Sequence, residues 1–515
     1  MWNVNELLRN TVNQTPNRTA VVDPVSERRF SYAELDEKVE QVAAGLRAFG
    51  IEKGDRVGTA LPNTPEHVFL FLAVQRVGAV AVPFDYRITD KKLRYFVSDA
   101  ELSLLAFGET VAEQVMDLRE ELDCDTFVTT ADVSASGVDE YETLVREPDG
   151  PITTKVHPED LSVVQYSSGT TGDPKGIKIT HRGGIDRAFL NIHTQEDYDR
   201  ETILGTIPLY HTIAVHGNLL PAFVTGGTYV LLPHSELDVA RQVIAEENVT
   251  YLHEAPPIYK KLLDPDDESE RPSETEDREV FESVETIATA ASPMSEELFA
   301  DIKQRIDPDY IYNTYGMTEI FPPYTMLNLR NRDDPTVFGY AEASNDMRIV
   351  EIGSRDPTAE VEPGREGEII IHRDAPGAFQ GYLNDYENAG ESFEDGWYFT
   401  GDACRETEEG HYVVTGRLSS RIKFGGDNIY PKNVETALAS HPAVEDAAVV
   451  GIADDEWGEV PKAYVVGDDD LTAEELEDHC VEGDELEGYK RPREFEFVSA
   501  LPENIDGIQN SGAVR

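Results

Sequence analysis

Apolar residues recur along the first hundred positions with two different periods. In SYAELDEKVEQVAAGLRAFG, residues 31–50, Leu35, Val39, Val42, Ala43 and Leu46 share one face of a 3.6-residue repeat, which predicts an amphipathic helix. Ser31 followed by Glu34 supplies a capping box at its start, and Gly50 a stop. DRVGTAL then predicts a strand, PEHVFLFLAVQRVG a helix and AVAVPF a buried strand. The alternation continues through TYVLLP and VTYLHEA, so the fold class expected is α/β.

Two stretches read differently. DPDDESERPSETEDRE, residues 264–279, has no apolar period and dense negative charge, which predicts a solvated loop between two helices. After about residue 365 the strands shorten, as in EGEIIIH and HYVVTGR, and past Gly416 a smaller unit begins. It reads as a helix and strand in VETALASHPAVEDAAVVGI, a strand in KAYVVG and an acidic helix from Ala473, with a boundary near 416–421. No internal repeat is present.

Composition narrows the function classes. A chain of 515 residues is too long for one core and implies at least two domains. No run approaches the ~18–20 apolar residues of a membrane span, and MWNVNELLRN lacks the pattern of a secretory signal, so a cytoplasmic location is expected. Forty-four Lys and Arg face 100 Asp and Glu, a net charge of −56 spread along the whole chain. A field of that sign disfavours nucleic acid and anionic membranes as partners. It resembles the surface of haloarchaeal proteins, where screening by salt relieves the self-repulsion. An anionic substrate must then be met by locally placed cations. Cys124, Cys404 and Cys480 are far apart and lack metal spacing, which excludes a disulfide framework and a zinc site.

YSSGTTGDPKG, residues 166–176, lies between the apolar runs Leu161–Val164 and Ile177–Ile179. Small hydroxyl residues, three glycines and one lysine cannot build a core. They bring backbone N–H groups, hydroxyl donors and a cation to one place, the parts of a phosphate cradle. The Walker pattern fails, because Lys175 follows Pro174 and precedes Gly176.

NTYGMTE at 313–319, YFTGD at 398–402, GRLSSRIKFGGDNIYP at 416–431 and GYKRPREFEFV at 488–498 follow in order. With these motifs the chain resembles the adenylate-forming superfamily of acyl-CoA synthetases, from about Leu7 to its C-terminus. The resemblance implies a large N-terminal domain over 1–416, built of two packed sheets with helices plus a small β-barrel. A hinge at 417–421 and a small mobile α+β domain at 422–515 would follow. It implies two half-reactions: a carboxylic acid reacts with ATP to an acyl-adenylate, releasing pyrophosphate, and coenzyme A then takes the acyl group, releasing AMP.

The same resemblance distributes roles. Ser167, Ser168, Gly169, Thr170, Thr171, Gly172 and Lys175 would grip the outer phosphates. Ala291 and Ser292, in TAASPMS, would line the adenine with backbone. In the NTYGMTE motif Asn313, Thr314, Tyr315 and Gly316 would seat the nucleotide, Tyr315 as a flat face for the base, while Thr318 meets the α-phosphate and Glu319 ligates Mg²⁺. Asp402 and Arg417 would hold the ribose. His211, in PLYHT, would stand at the mouth of the acyl pocket as a catalytic-site residue. Lys423, Gly425, Gly426, Lys490 and Arg491 would serve coenzyme A, the glycines by letting pantetheine pass close to backbone. A medium- or long-chain fatty acid is the substrate expected, with an aryl acid as the alternative. The resemblance also allows a homodimer.

Two positions depart from the family pattern. Ser419 stands at the hinge where relatives carry Asp or Lys, and a hinge needs only to absorb a backbone rotation. Gly507 is followed by Ile508 where relatives carry a lysine that reaches the carboxylate and α-phosphate, and no lysine occurs after Lys490. Loss of one such preorganised contact costs on the order of 10²–10³ in rate. The alternative reading is therefore a member that binds nucleotide or acyl-adenylate with impaired adenylation.

Overall fold

The computed structural model describes residues 3–133, 135–167, 174–264, 273–290, 294–322, 326–341, 346–384, 393–424, 427–441, 443–454, 457–468, 471–482 and 490–501. Among these residues the strands form four sheets. The first runs, in spatial order, Tyr310–Asn313, Thr286–Thr289, Tyr251–Glu254, Thr202–Gly205, Thr228–Leu231, Thr19–Asp23 and Arg28–Ser31. The second runs Asp139–Glu140, Thr126–Thr129, Leu104–Phe107, Arg56–Ala60, Val80–Pro83, Leu161–Ser167 and Lys175–Thr180. Each is parallel except for its last pair, which is antiparallel. Such sheets require covered faces, and helices such as Tyr32–Ala48 and Pro65–Val77 provide the cover.

The expected helix starts at Tyr32 with the Ser31–Glu34 capping box formed as read. Pro65–Val77 is buried nearly all round. That explains its continuous apolar sequence: one face packs on the strands and another on Tyr32–Ala48. A single apolar cluster contains Val21 and Tyr229 of the first sheet together with Val57 and Leu104 of the second, so the two layers share one core. Thr19–Asp23 and Arg28–Ser31 join the first sheet although the next strands, from Arg56–Ala60 on, build the second, which ties the start of the chain across both.

The third sheet is antiparallel and holds Met347–Val350, Gly367–His372, Trp397–Glu406, Phe393–Glu394 and Tyr412–Arg417. A turn at 418–420 leads on to the fourth, which holds Asp427–Ile429, Ile422–Phe424, Gly458–Gly467, Val444–Asp454 and Glu494–Phe497. Helices Pro431–Ala439 and Ala473–Glu482 pack with it around Ile422, Val434, Leu438 and Leu476. Tyr430 bridges the two sheets. Its hydroxyl donates to Glu366 at 2.8 Å, and its ring lies where a Cβ on Gly416 would come within 2.6 Å. Glycine at 416 permits that approach.

The acidic stretch corrects one expectation. Residues 265–272 lie outside the described residues, but Glu274–Val280 is a helix rather than a loop, started by a capping box between Ser273 and Glu276. Asp277 turns inward and is buried, paired with Arg305 at 2.7 Å and Arg241 at 2.8 Å. Two arginines distant in sequence neutralise it, which no local pattern of charge reveals.

Candidate active site

Ligand sites in open parallel sheets gather where the strands end at their carboxyl edge. Asn313 ends such a strand, and the segment after it carries the tyrosine, threonine and glutamate of the motif. The framework is built first. Asn313 Nδ2 donates to the Pro335 carbonyl at 2.8 Å, and Thr314 Oγ1 donates to the Thr289 carbonyl at 2.7 Å. Both side chains are buried and committed to the fold, so the structure does not present them to a ligand as the sequence suggested. Behind Thr314 stands His253, its Nε2 at 3.2 Å from Thr314 Oγ1 and its Nδ1 at 3.2 Å from Asn218. Burial pushes the His253 imidazole down to about 3, so it acts as a neutral spacer.

Tyr315 reaches across to the third sheet. Its hydroxyl donates to Asp402 Oδ2, and Asp402 Oδ1 pairs with Arg417 Nε at 2.8 Å. Asp402 and Arg417 are register partners on adjacent strands, which fixes their spacing through backbone. Burial raises the Asp402 carboxyl above its ordinary range, against the opposing pull of Arg417 and Tyr315. Tyr315 is itself driven well above the usual phenol range by burial and the neighbouring carboxylate. The three residues expected at the sugar and base therefore meet in one cluster.

Thr318 and Glu319 sit in a tight turn closed by paired hydrogen bonds between Met317 and Ile320. Arg187, fully buried on helix His181–His193, holds that turn from behind. Its Nη2 donates to the Thr318 carbonyl at 2.9 Å and the Glu319 carbonyl at 3.3 Å. Its Nε donates to the Gly377 carbonyl at 2.7 Å, and its Nη1 to Thr212 Oγ1 at 3.0 Å. Thr212 Oγ1 also lies 3.1 Å from His216 Nδ1. His211 precedes Thr212 and packs its ring on Tyr210, centroids 4.4 Å apart. One guanidinium thus ties the His211 turn to the Thr318–Glu319 turn.

Ser167 and Lys175 are paired residues of the antiparallel strands Leu161–Ser167 and Lys175–Thr180, so the ends of the glycine-rich loop are brought together as expected. Ser168, Gly169, Thr170, Thr171 and Gly172 lie outside the described residues, as do Ala291, Ser292, Gly425, Gly426 and Ile508. Lys175 Nζ stands 4.9 Å from the ring centroid of Tyr382, whose hydroxyl donates to Glu319 Oε1 at 3.0 Å. Lys423 and Arg491 make their described contacts within the fourth sheet's own unit. The Lys423 backbone N–H donates to Glu459 at 2.8 Å, and Arg491 pairs with Glu477 at 3.3 Å. Lys490 belongs to the same unit, and Gly316 is exposed beside Tyr315.

Arg187 and Tyr382 were not singled out in the sequence. Arg187 falls on the buried face of its helix, where only the flanking Ile185, Ala188 and Asn191 mark the direction. Tyr382 sits in a short extended segment without periodicity.

Residues 8–383 match the family model described as AMP-binding enzyme, and residues 433–507 that of the AMP-binding enzyme C-terminal domain. The chain is 31% identical over 507 residues to a 4-chlorobenzoate–CoA ligase of Arthrobacter sp, across 97% of this chain and 92% of that protein. It is 27% identical over 517 residues to the long-chain-fatty-acid–CoA ligase FadD13 of Mycobacterium tuberculosis, across 98% of this chain and 97% of that one. Among solved structures, the anthranilate CoA ligase AuaEII in complex with anthranoyl-AMP shares the fold. Its TM-score is 0.87 at 24% identity, covering 100% of this chain and 96% of that chain.

Proposed function

The chain belongs to the AMP-binding enzyme family, and from that premise we propose that it is an acid–thiol ligase acting on an apolar carboxylic acid. It joins the acid to coenzyme A at the expense of ATP, with AMP and pyrophosphate released. The observation that carries this reading is the Tyr315–Asp402–Arg417 cluster beside the Thr318–Glu319 turn, with Lys175 facing the same turn across Tyr382. Asp402 is an acceptor pair for two ribose hydroxyls once its present donors yield, and Tyr315 offers the adenine its ring.

The donor set fits a magnesium ion carried on a triphosphate. Glu319 keeps one carboxylate oxygen beyond that engaged by Tyr382. Among the described residues no group of three or more His, Cys, Asp or Glu side chains converges. A hard cation held mainly by phosphate oxygens and water asks for no more than that. When bound it would neutralise phosphate charge, and Lys175 would do the same from the loop end. The protein's remaining contribution is position: the turn that carries Thr318 and Glu319 is held rigidly from behind, as preorganisation requires.

On the acyl side we favour an aromatic acid over a long chain. Phe321 packs against the helical segment Ile213–Leu219 and against the motif: a Cβ on Gly217 would lie 3.1 Å from its ring, and one on Gly316 2.9 Å. The 31% identical chlorobenzoate ligase supports this reading, and the 27% identical fatty-acid ligase supports the alternative. Release of AMP with substituted benzoates and cinnamates, compared with octanoate and palmitate, decides between them. Turnover confined to the fatty acids would overturn the aromatic reading, and no AMP release with any acid would overturn the ligase.

A further inference from the structure

Tyr382 occupies a place that the motifs do not mark. Its segment runs antiparallel to strand Lys175–Thr180. Leu383 N–H donates to the Gly176 carbonyl at 2.6 Å, Gln380 N–H to the Lys178 carbonyl at 2.8 Å, and Lys178 N–H to the Gly381 carbonyl at 3.1 Å. Ile177 and Tyr382 are bridge partners in the same pairing. The backbone of Tyr382 is therefore registered to the strand that begins with Lys175. Its side chain is registered to the other half of the site, because the hydroxyl donates to Glu319 Oε1 at 3.0 Å and lies 3.4 Å from the hydroxyl of Tyr398. The Glu319 carbonyl is fixed in turn by the N–H of Phe379, three residues before Tyr382, at 2.8 Å. The residue is buried, and its ring face carries the Lys175 ammonium.

We propose that Tyr382 is a positioning residue for the adenylating step, setting the Glu319 carboxylate toward the metal while its ring holds Lys175 apart from that carboxylate. The inference rests on the reading of Lys175 and Glu319 given above. A phenol that donates to one carboxylate oxygen leaves the other directed at a cation, the arrangement by which an outer partner orients a metal ligand. The ring meanwhile attracts an ammonium by its face without neutralising it. A lysine and a glutamate without such a spacer would pair with each other, and the grip on phosphate and the metal ligand would be lost together.

The test uses Tyr382→Phe, which keeps the ring and removes the hydroxyl, and a second variant, Tyr382→Leu, which removes both. Three readouts separate position from bulk structure. The first is the magnesium dependence of the thermal shift caused by ATP without any acid present. The second is pyrophosphate exchange, and the third is thioester formation from a preformed acyl-adenylate and coenzyme A. Tyr382→Phe should fold and unfold cooperatively without ligand, with at most the modest loss of stability of one hydrogen bond, and should need about tenfold more magnesium for the half-maximal ATP shift. Exchange should fall while thioester formation stays within about twofold. Tyr382→Leu should in addition lose the ATP shift at saturating magnesium. An unchanged magnesium requirement in Tyr382→Phe overturns the inference, as does an equal fall of both half-reactions. If the parent protein itself shows no magnesium-dependent ATP shift, the functional reading fails, and this inference fails with it.

Discussion

The Arg187 guanidinium donates to the Thr318 carbonyl at 2.9 Å from a position with no exposed surface, and every acceptor it has there is a neutral oxygen. Burial lowers its pKa to about 9 while the Glu319 charge opposes the fall. An arginine kept in such surroundings is costly unless its fork of donors is used in full. Arg187→Met should therefore reduce pyrophosphate exchange by about 10²-fold, the scale of an ångström's misplacement at a reacting centre. It should also cost about 1–3 kcal/mol for each carbonyl left unpaired. Arg187→Lys should restore stability better than exchange, since an ammonium cannot span three segments. Equilibrium unfolding and exchange on the same preparations check both parts.

The Asp402–Arg417 pair predicts a selective binding defect. Asp402→Asn keeps the shape and an acceptor oxygen but loses the charge that Arg417 and the Tyr315 hydroxyl now meet. KM for ATP should rise by at least about tenfold, and that for the acid should stay near the parent's, consistent with the loss of a charged hydrogen bond of about 1.5–3 kcal/mol. Initial rates with ATP and acid varied in turn give the answer.

Glu254 predicts a pH dependence of stability. Its carboxyl is buried at the end of strand Tyr251–Glu254, accepts a hydrogen bond from Thr206, and is pushed up to about 8 by burial. The unfolded chain loses this proton near pH 4.5, whereas the folded protein keeps it until about 8. Between those values the native state binds the extra proton, so its stability falls as pH rises, by up to about 1.4 kcal/mol per pH unit from this group. Glu254→Gln keeps the acceptor for Thr206 and removes the titration. The difference in unfolding free energy between variant and parent should grow in the variant's favour from pH 5 to 8 and level off above, as denaturant titrations across that range will show.

Periodicity carried most of the fold. The Tyr32–Ala48 and Pro65–Val77 helices and the buried strands follow from spacing, because burial of one face imposes it. The expected shortening of strands after 365 is not what the structure shows: Trp397–Glu406 and Gly458–Gly467 run to 10 residues and Val444–Asp454 to 11, longer than any described strand before them, because antiparallel neighbours pair along their whole length. The helix at Glu274–Val280 was hidden by composition, although Ser273 and Glu276 carried its start signal; its buried Asp277 is neutralised by arginines far along the chain. The candidate site was legible through the motifs that carry Tyr315, Asp402 and Arg417, whose side chains meet in the structure. It was not legible where the work is done by carbonyl oxygens or a ring face, as with Arg187 and Tyr382, since such partners leave no residue pattern. Asn313 and Thr314 show the converse, motif residues whose side chains hold the motif in place.

The sequence change at Ile508 bears on rate. A lysine introduced there, Ile508→Lys, restores the cation expected near the carboxylate and α-phosphate. Pyrophosphate exchange should rise by on the order of 10²–10³, while thioester formation from a preformed acyl-adenylate should not move. Parallel assays of the two half-reactions test it.

We place the nucleotide between Tyr315, Asp402 and Lys175. Calorimetric titration of magnesium-ATP into the parent protein and into Asp402→Ala, in the absence of acid and coenzyme A, addresses this placement most directly. Saturable binding of one nucleotide per chain in the parent, weakened at least about tenfold in the variant, is the result predicted. Absence of binding in the parent, or equal affinity in the two proteins, would contradict it.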